Sequence, residues 1–136
     1  MQDRDGSTER TDGLLGQHNG EVSGTGIEMA GTVTLRFGLQ AGRAIRQPQF
    51  RTAPRIALAA GPSFAATGHD PDLREAAREA LRGVLDYLAQ EHQLPHPRAY
   101  LLASACVDLR ISQIVDAPNW TVSAFLPLSI FTDGAA

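Results

Sequence analysis

Polar and apolar residues alternate along the segment 107–116. The polar side of the alternation contains Asp108, Arg110 and Ser112, and the apolar side contains Leu109 and Ile111. A period of two residues is typical of a β-strand with one buried and one exposed face. We therefore predict a strand whose polar face either contacts solvent or lines a functional site.

Three further segments have the composition of β-strands. Residues 32–37 alternate strictly, residues 55–60 form a short apolar run, and residues 121–126 are rich in β-branched and aromatic side chains. These features favour extended backbone over helix. We predict a strand in each segment, and the apolar face of the first would contain Val33, Leu35 and Phe37.

Residues 71–92 have the pattern of one long amphipathic helix. Asp70 is a suitable N-cap, and Pro71 fits the first helical turn. Apolar residues recur at helical spacing and should face the core: Leu73, Ala77, Ala80, Leu81, Val84, Leu85 and Leu88. A shorter helix is predicted from Pro97 to Ala105. The order of strands, two helices and strands predicts an α+β fold, with short β-strands and one long and one shorter helix.

The first thirteen residues are polar and are predicted to be a disordered leader, followed by one domain over residues 14–136. The start of this domain, residues 14–30, is rich in glycine. Glycine permits positive φ angles and close backbone approach, which suits a loop over a site. A pair of short strands with tight turns would have the same composition, so both interpretations stay open.

Composition excludes several classes of function. The 136 residues carry a net charge of −3, which gives no electrostatic basis for binding nucleic acid or an anionic membrane. No apolar run has the length of a membrane span, and the N-terminus lacks the apolar stretch of a signal peptide. A single cysteine fits a reducing compartment. We therefore expect a cytoplasmic protein.

The sequence contains no lysine, because all twelve basic residues are arginine. A mechanism that depends on a catalytic lysine cannot operate on this chain alone. This absence excludes the Ser-Lys amidases and the Cys-Glu-Lys type of nitrilase as self-contained interpretations.

Few residues have a context that favours chemistry. Glu21, between glycine-rich stretches, could act as a general base or metal ligand, or it could be a turn carboxylate in water. His18 lies three residues before Glu21, and His69, just before the long helix, is predicted to be solvated. Cys106 follows an apolar helix and fits a small buried residue better than a nucleophile. Asp108 could pair with Arg110 or supply a second carboxylate.

Two segments resemble signatures of the acetamidase/formamidase family: residues 19–28 and residues 108–116. The resemblance implies a fold like the C-terminal part of these enzymes and the hydrolysis of short linear amides, such as formamide and acetamide, to carboxylate and ammonia. Family members are much longer and have a β-rich N-terminal half. They commonly have His where Leu14 stands, Asp at Asn19 and often Cys at Ser23.

Amide hydrolysis needs an activated water, a stabilised oxyanion and an acid for the leaving amine. We expect Glu21 and Asp108 to be the catalytic carboxylates, with His18 and Glu21 as candidate ligands of a divalent metal such as zinc. The sequence offers no clear acid. We therefore expect weak activity from the isolated chain, with a second copy or a missing N-terminal half as partner. A non-catalytic binding or assembly module that retains the fold is the alternative.

Overall fold

The computed structural model describes residues 14–15, 22–24, 27–28, 30–32, 34–42, 44–52, 61–115 and 117–131. Strands and helices follow one another in an α+β order, as predicted. Their bounds are β1 Leu14–Leu15, β2 Ile27–Glu28, β3 Gln49–Arg51, β4 Ser63–Asp70, α1 Leu73–Glu91, α2 His96–Cys106, β5 Asp108–Gln113 and β6 Trp120–Pro127, followed by a 3-10 turn at Leu128–Ile130.

The main sheet is antiparallel and has the strand order β3-β4-β6-β5. Its two central strands pair along their whole length, from Ser63 opposite Pro127 to Asp70 opposite Trp120. β1 and β2 form a separate antiparallel pair, with Leu14 opposite Glu28. Of the two interpretations of the glycine-rich block, the structure therefore has the pair of short strands.

The sequence prediction missed β4 and placed a strand where the structure has none. β4 mixes two strand-forming residues, Phe64 and Thr67, with alanines, a glycine and an aspartate, which have low strand propensity. It forms because both of its edges pair with neighbours. Thr32 and residues 34–37 have no regular structure, because alternation alone does not make a strand without a paired neighbour. The predicted strand at 55–60 and the predicted leader lie outside the described residues.

Helix α1 has the predicted extent, but its cap is Asp72 and not Asp70. The Asp72 carboxylate accepts hydrogen bonds from the backbone N–H groups of Arg74 and Glu75 at 2.7 and 3.2 Å. Asp70 instead accepts from the backbone N–H of Asp72 at 2.8 Å. Asp72 is the residue with extended backbone next to the first helical turn, which is the geometry an N-cap needs.

The buried face of α1 is also rotated from the predicted stripe. Leu73 is 38% exposed, and Ala77, Leu81 and Leu85 are only partly buried. The fully packed residues are Ala76, Ala80, Val84, Tyr87 and Leu88. The alanines face the sheet because the helix lies very close to β4, and a closely packed interface selects small side chains over large ones.

Gly68 permits this close approach. A methyl group on its α-carbon would overlap the carbonyl oxygen of Ala76 and lie 2.7 Å from the backbone nitrogen of Ala80. One turn further on, a β-carbon at Gly83 would lie 2.6 Å from the β-carbon of Ala66. Two glycines, one on each element, therefore set the distance between α1 and the sheet.

Within the described residues, no helix combines the length and apolar character needed to cross a membrane.

Candidate functional site

The sheet has a helix-covered face and a polar face. Phe64, Ala66 and Gly68 alternate toward α1, and the residues opposite them on β6, Leu126, Ala124 and Val122, face the same way. The intervening residues face away from α1. We call this second surface the polar face, and its polar members are Thr67, His69, Asp108, Arg110, Ser112, Gln113, Thr121 and Ser123.

One row of the polar face holds the His69 ring by both nitrogens. Thr121 lies directly opposite His69 on β6, and its Oγ1 is 3.0 Å from Nδ1. Thr67, two residues earlier on β4, has its Oγ1 3.2 Å from Nε2. The row continues to β5, because the Thr121 hydroxyl donates to Oε1 of Gln113 at 3.3 Å. His69 is exposed while Thr67 is buried, so a fixed imidazole is presented to solvent.

Two threonine hydroxyls orient the His69 ring. The Thr67 hydroxyl donates its single hydrogen to the carbonyl oxygen of Pro48 at 2.9 Å, so Nε2 of His69 is the donor in its contact with Thr67. The Thr121 hydroxyl also has a single hydrogen and lies between Nδ1 of His69 and Oε1 of Gln113, so it can donate to only one of them at a time.

A β-bulge brings Gln113 into this row. Ile111 is opposite Val122, but Gln113, two residues on, is opposite Thr121, only one residue further along β6. Strict alternation would have put Gln113 on the same side as Ile111. The bulge shifts it to the polar face, beside Ser112, whose hydroxyl is 2.7 Å from that of Ser123.

Asp108 lies on the polar face but at its other end. Its Oδ2 accepts from Nε of Arg110 at 2.7 Å and forms an ion pair with the terminal guanidinium nitrogen at 2.6 Å. The guanidinium also lies over the Phe125 ring, 5.1 Å from its centre. The ion pair foreseen from their shared face is thus present. By strand spacing, Asp108 is roughly 16 Å from His69, so the two do not share one reaction centre.

Gly24, a described residue of the glycine-rich block, lies beside the chain that follows β5, at the end of that strand nearer to His69 than to Asp108. A β-carbon built on Gly24 would lie 3.8 Å from Cγ2 of Val115, which is two residues beyond Gln113. His18 and Glu21 lie outside the described residues.

No metal-ligand set is formed by the described part of the chain. No three His, Cys, Asp or Glu side chains come together there in a way that could hold an ion. His69 is bound to two hydroxyls and Asp108 to a guanidinium. These residues therefore do not fit a metal centre by themselves, and a metal role for His18 and Glu21 stays a prediction.

Cys106 has the environment of a structural cysteine. Its thiol donates to the carbonyl oxygen of Leu102 at 2.9 Å, one helical turn earlier. Burial raises the pKa of the Cys106 thiol above the ordinary value of a cysteine. A raised pKa leaves little thiolate at neutral pH, and the thiolate is the nucleophilic form.

We expect Cys106 to react slowly with a disulfide reagent such as DTNB at pH 7. Its rate should be at least about tenfold below that of glutathione, because the raised pKa and partial burial both reduce accessible thiolate. The rate should rise as pH is raised, and it should reach that of a free thiol in denaturant. A fast reaction of the folded chain at pH 7 would contradict a structural role.

The sequence predicted a solvated His69 and gave it no part in the candidate site. It is exposed, but its ring is fixed. The sequence did contain one local signal for this contact. Thr67 and His69 are two residues apart, which puts their side chains on the same face if the segment is a strand. The decisive partner, Thr121, is 52 residues away, and only strand pairing connects them.

Comparison with known proteins gives two similarities. Residues 8–133 match the family model described as the acetamidase/formamidase family. The chain is also 29% identical, over 141 residues, to the formamidase of Methylophilus methylotrophus. This similarity covers 94% of the present chain but 35% of that formamidase, so the chain spans about a third of the length of this relative.

Proposed function

Because the chain belongs to the acetamidase/formamidase family, we propose that it is an amide-hydrolase domain acting on short linear amides such as formamide and acetamide. Amide hydrolysis is the activity named for its relatives at the family level. The observation that carries the proposal is the family match, which runs from the glycine-rich block through the polar face. The expected products are the carboxylate and ammonia.

In this proposal Glu21 removes a proton from the attacking water. The oxygen of the water bonds to the amide carbon, and the carbonyl electrons move onto oxygen. Backbone N–H groups of the glycine-rich block then stabilise the oxyanion. The position of Gly24 beside Val115 supports placing these groups at the His69 end of the polar face.

His69 fills the role of acid that the sequence left open. The carbon–nitrogen bond breaks as the leaving nitrogen takes a proton, which releases ammonia. Buried Thr67 fixes Nε2, while Nδ1 faces the half-buried Thr121, whose hydroxyl can rotate away. Nδ1 is therefore the proton donor in the proposed mechanism. Asp108 remains a candidate carboxylate, at a position separate from His69.

The test is ammonia release by the full chain from formamide and acetamide, with and without added zinc. We expect a rate below about 1 per second. The reason is that Leu14 and Asn19 replace a His and an Asp common in the family, which removes polar groups beside Glu21. A rate typical of the family enzymes would contradict this prediction.

Two variants test whether Glu21 is responsible for the measured rate of ammonia release. Glu21→Gln should abolish the release above the buffer rate, because the amide cannot accept the water proton. Glu28→Gln is the matched control, since Glu28 lies in the same glycine-rich block but seven residues on. Equal rates for the wild type and Glu21→Gln would exclude Glu21 as the base.

A non-catalytic binding or assembly module is the second candidate function. The observation that favours it is the ion pair in which Arg110 holds the Asp108 carboxylate. In addition, the described residues bring no set of metal ligands together. Ammonia release no faster than in buffer, from both amides and at all metal concentrations, would favour this module over the hydrolase.

A further inference from the structure

The row at His69 holds a hydroxyl and an imidazole in direct contact. Oγ1 of Thr121 lies 3.0 Å from Nδ1 of His69, and Oγ1 of Thr67 lies 3.2 Å from Nε2 on the other side of the ring. A hydroxyl beside a base that a third group orients is the arrangement that activates a nucleophile. Thr121 therefore has the surroundings of a reactive hydroxyl.

Thr67 decides which nitrogen of the neutral ring holds the proton. Its hydroxyl donates to the carbonyl oxygen of Pro48 at 2.9 Å, and its backbone N–H donates to the same oxygen at 3.1 Å. Thr67 is only 8% exposed, so water does not compete for these bonds. The Thr67 hydroxyl must therefore accept from His69, which keeps the proton of the neutral ring on Nε2.

The neutral ring then presents a lone pair to Thr121. Nδ1 has no hydrogen in this tautomer, so the hydrogen in the 3.0 Å contact must come from the Thr121 hydroxyl. The other contact of that hydroxyl, to Oε1 of Gln113, is longer at 3.3 Å. His69 is therefore placed to take the proton of Thr121, as a general base does.

The exposure of the row indicates the class of substrate. His69 is exposed, and Thr121 is half-buried near the start of β6. An open site stabilises an oxyanion less than a closed one, so it needs a substrate with a good leaving group. An activated ester meets this need, because its alcohol leaves as a stable anion.

We propose that Thr121 is a nucleophile that accepts acyl groups from activated esters, with His69 as its general base. Nδ1 takes the hydroxyl proton while Oγ1 bonds to the acyl carbon and the carbonyl electrons move onto oxygen. As these electrons return, the bond from the acyl carbon to the alcohol oxygen breaks and the alcohol leaves as its anion. The imidazolium then loses its proton to solvent. The product is an ester of Thr121, and its formation is independent of the amide hydrolysis proposed above.

The test treats the full chain with p-nitrophenyl acetate at about pH 8, where free imidazole is neutral. Absorbance should show a burst of about one p-nitrophenolate per chain, as expected for a covalent intermediate. The chain has no lysine, so acetylation of lysine amines cannot obscure the result. Arg110 is the last site for trypsin, and fragmentation of the peptide 111–136 should locate the acetyl group on Thr121. An acetyl group found only elsewhere, or none, would overturn the proposal.

Variants of the row identify the nucleophile and the base. Thr121→Val replaces the hydroxyl by a methyl group of similar shape and should give neither burst nor adduct, whereas Thr121→Ser should keep both. His69→Gln should form the adduct at least about tenfold more slowly, because glutamine cannot take the proton. An unchanged burst in Thr121→Val would mean that another group attacks the ester, and an unchanged rate in His69→Gln would remove His69 as the base. Either result would overturn the proposal.

The matched control is His96→Gln, at an exposed histidine at the start of α2 that is not part of the row. It should be acetylated on Thr121 at the wild-type rate. If it slows the reaction as much as His69→Gln does, any exposed imidazole serves as well as His69, and the proposal is wrong.

Discussion

Gly68→Ala should lower the free energy of unfolding by about 3 kcal/mol, the upper part of the usual range for overpacking a closely packed core. The added methyl group overlaps the backbone of α1 at Ala76 and Ala80, and backbone cannot rotate aside as a side chain does. The helix must move away from β4, which opens the contacts of Val84 and Leu88 behind it.

Urea unfolding followed by circular dichroism measures this loss as a lower midpoint with an unchanged slope. Gly31→Ala is the control, because nothing lies within 4 Å of a β-carbon built at that position. It should change the free energy of unfolding by no more than about 0.5 kcal/mol. Equal midpoints for the two variants would mean that α1 and β4 are not in the close contact described.

His69→Gln should lower the rate of ammonia release by about 100-fold, the lower end of what a positioned general acid contributes. Glutamine keeps a polar side chain that can bond Thr67 or Thr121, but it cannot transfer a proton. Because the wild-type rate is expected to be slow, the measurement is formate production from labelled formamide by NMR over long incubations.

Two further variants separate proton transfer from structure. Thr121→Val removes the hydroxyl that orients Nδ1 but leaves the imidazole in place, so it should reduce the rate less than His69→Gln and alter its dependence on pH. His96→Gln, at an exposed histidine at the start of α2, is the control and should keep the wild-type rate. A full rate in His69→Gln would remove His69 from the mechanism.

The sequence predicted those elements whose signal is local. The long helix was found close to its true place because the acidic residues at its start, Pro71 just before the cap and a helical apolar period lie close together in the sequence. β5 and β6 were found from their alternation and composition. The family signatures, residues 19–28 and 108–116, were also local, and the family they indicated is confirmed by the match over residues 8–133.

The sequence failed where the deciding contact is distant. In β4, Phe64 and Thr67 favour a strand, but the alanines, Gly68 and Asp70 do not, so pairing with β3 and β6 decides that the segment is one. The alternating segment 32–37 was predicted to be a strand, yet it lacks a paired neighbour in the described part of the chain. Local propensity states what a segment prefers, while pairing decides whether a strand forms.

The sequence by itself determined the family, the α+β order and the extent of α1, because these depend on residues close together in the chain. The tertiary structure alone decided which side of α1 is buried, since the closeness of Gly68 selects Ala76 and Ala80 over Leu73. It also alone brought His69, Thr121 and Gln113 into one row, through strand register and a bulge. Register fixes which side chains meet across a sheet, and no local pattern encodes it.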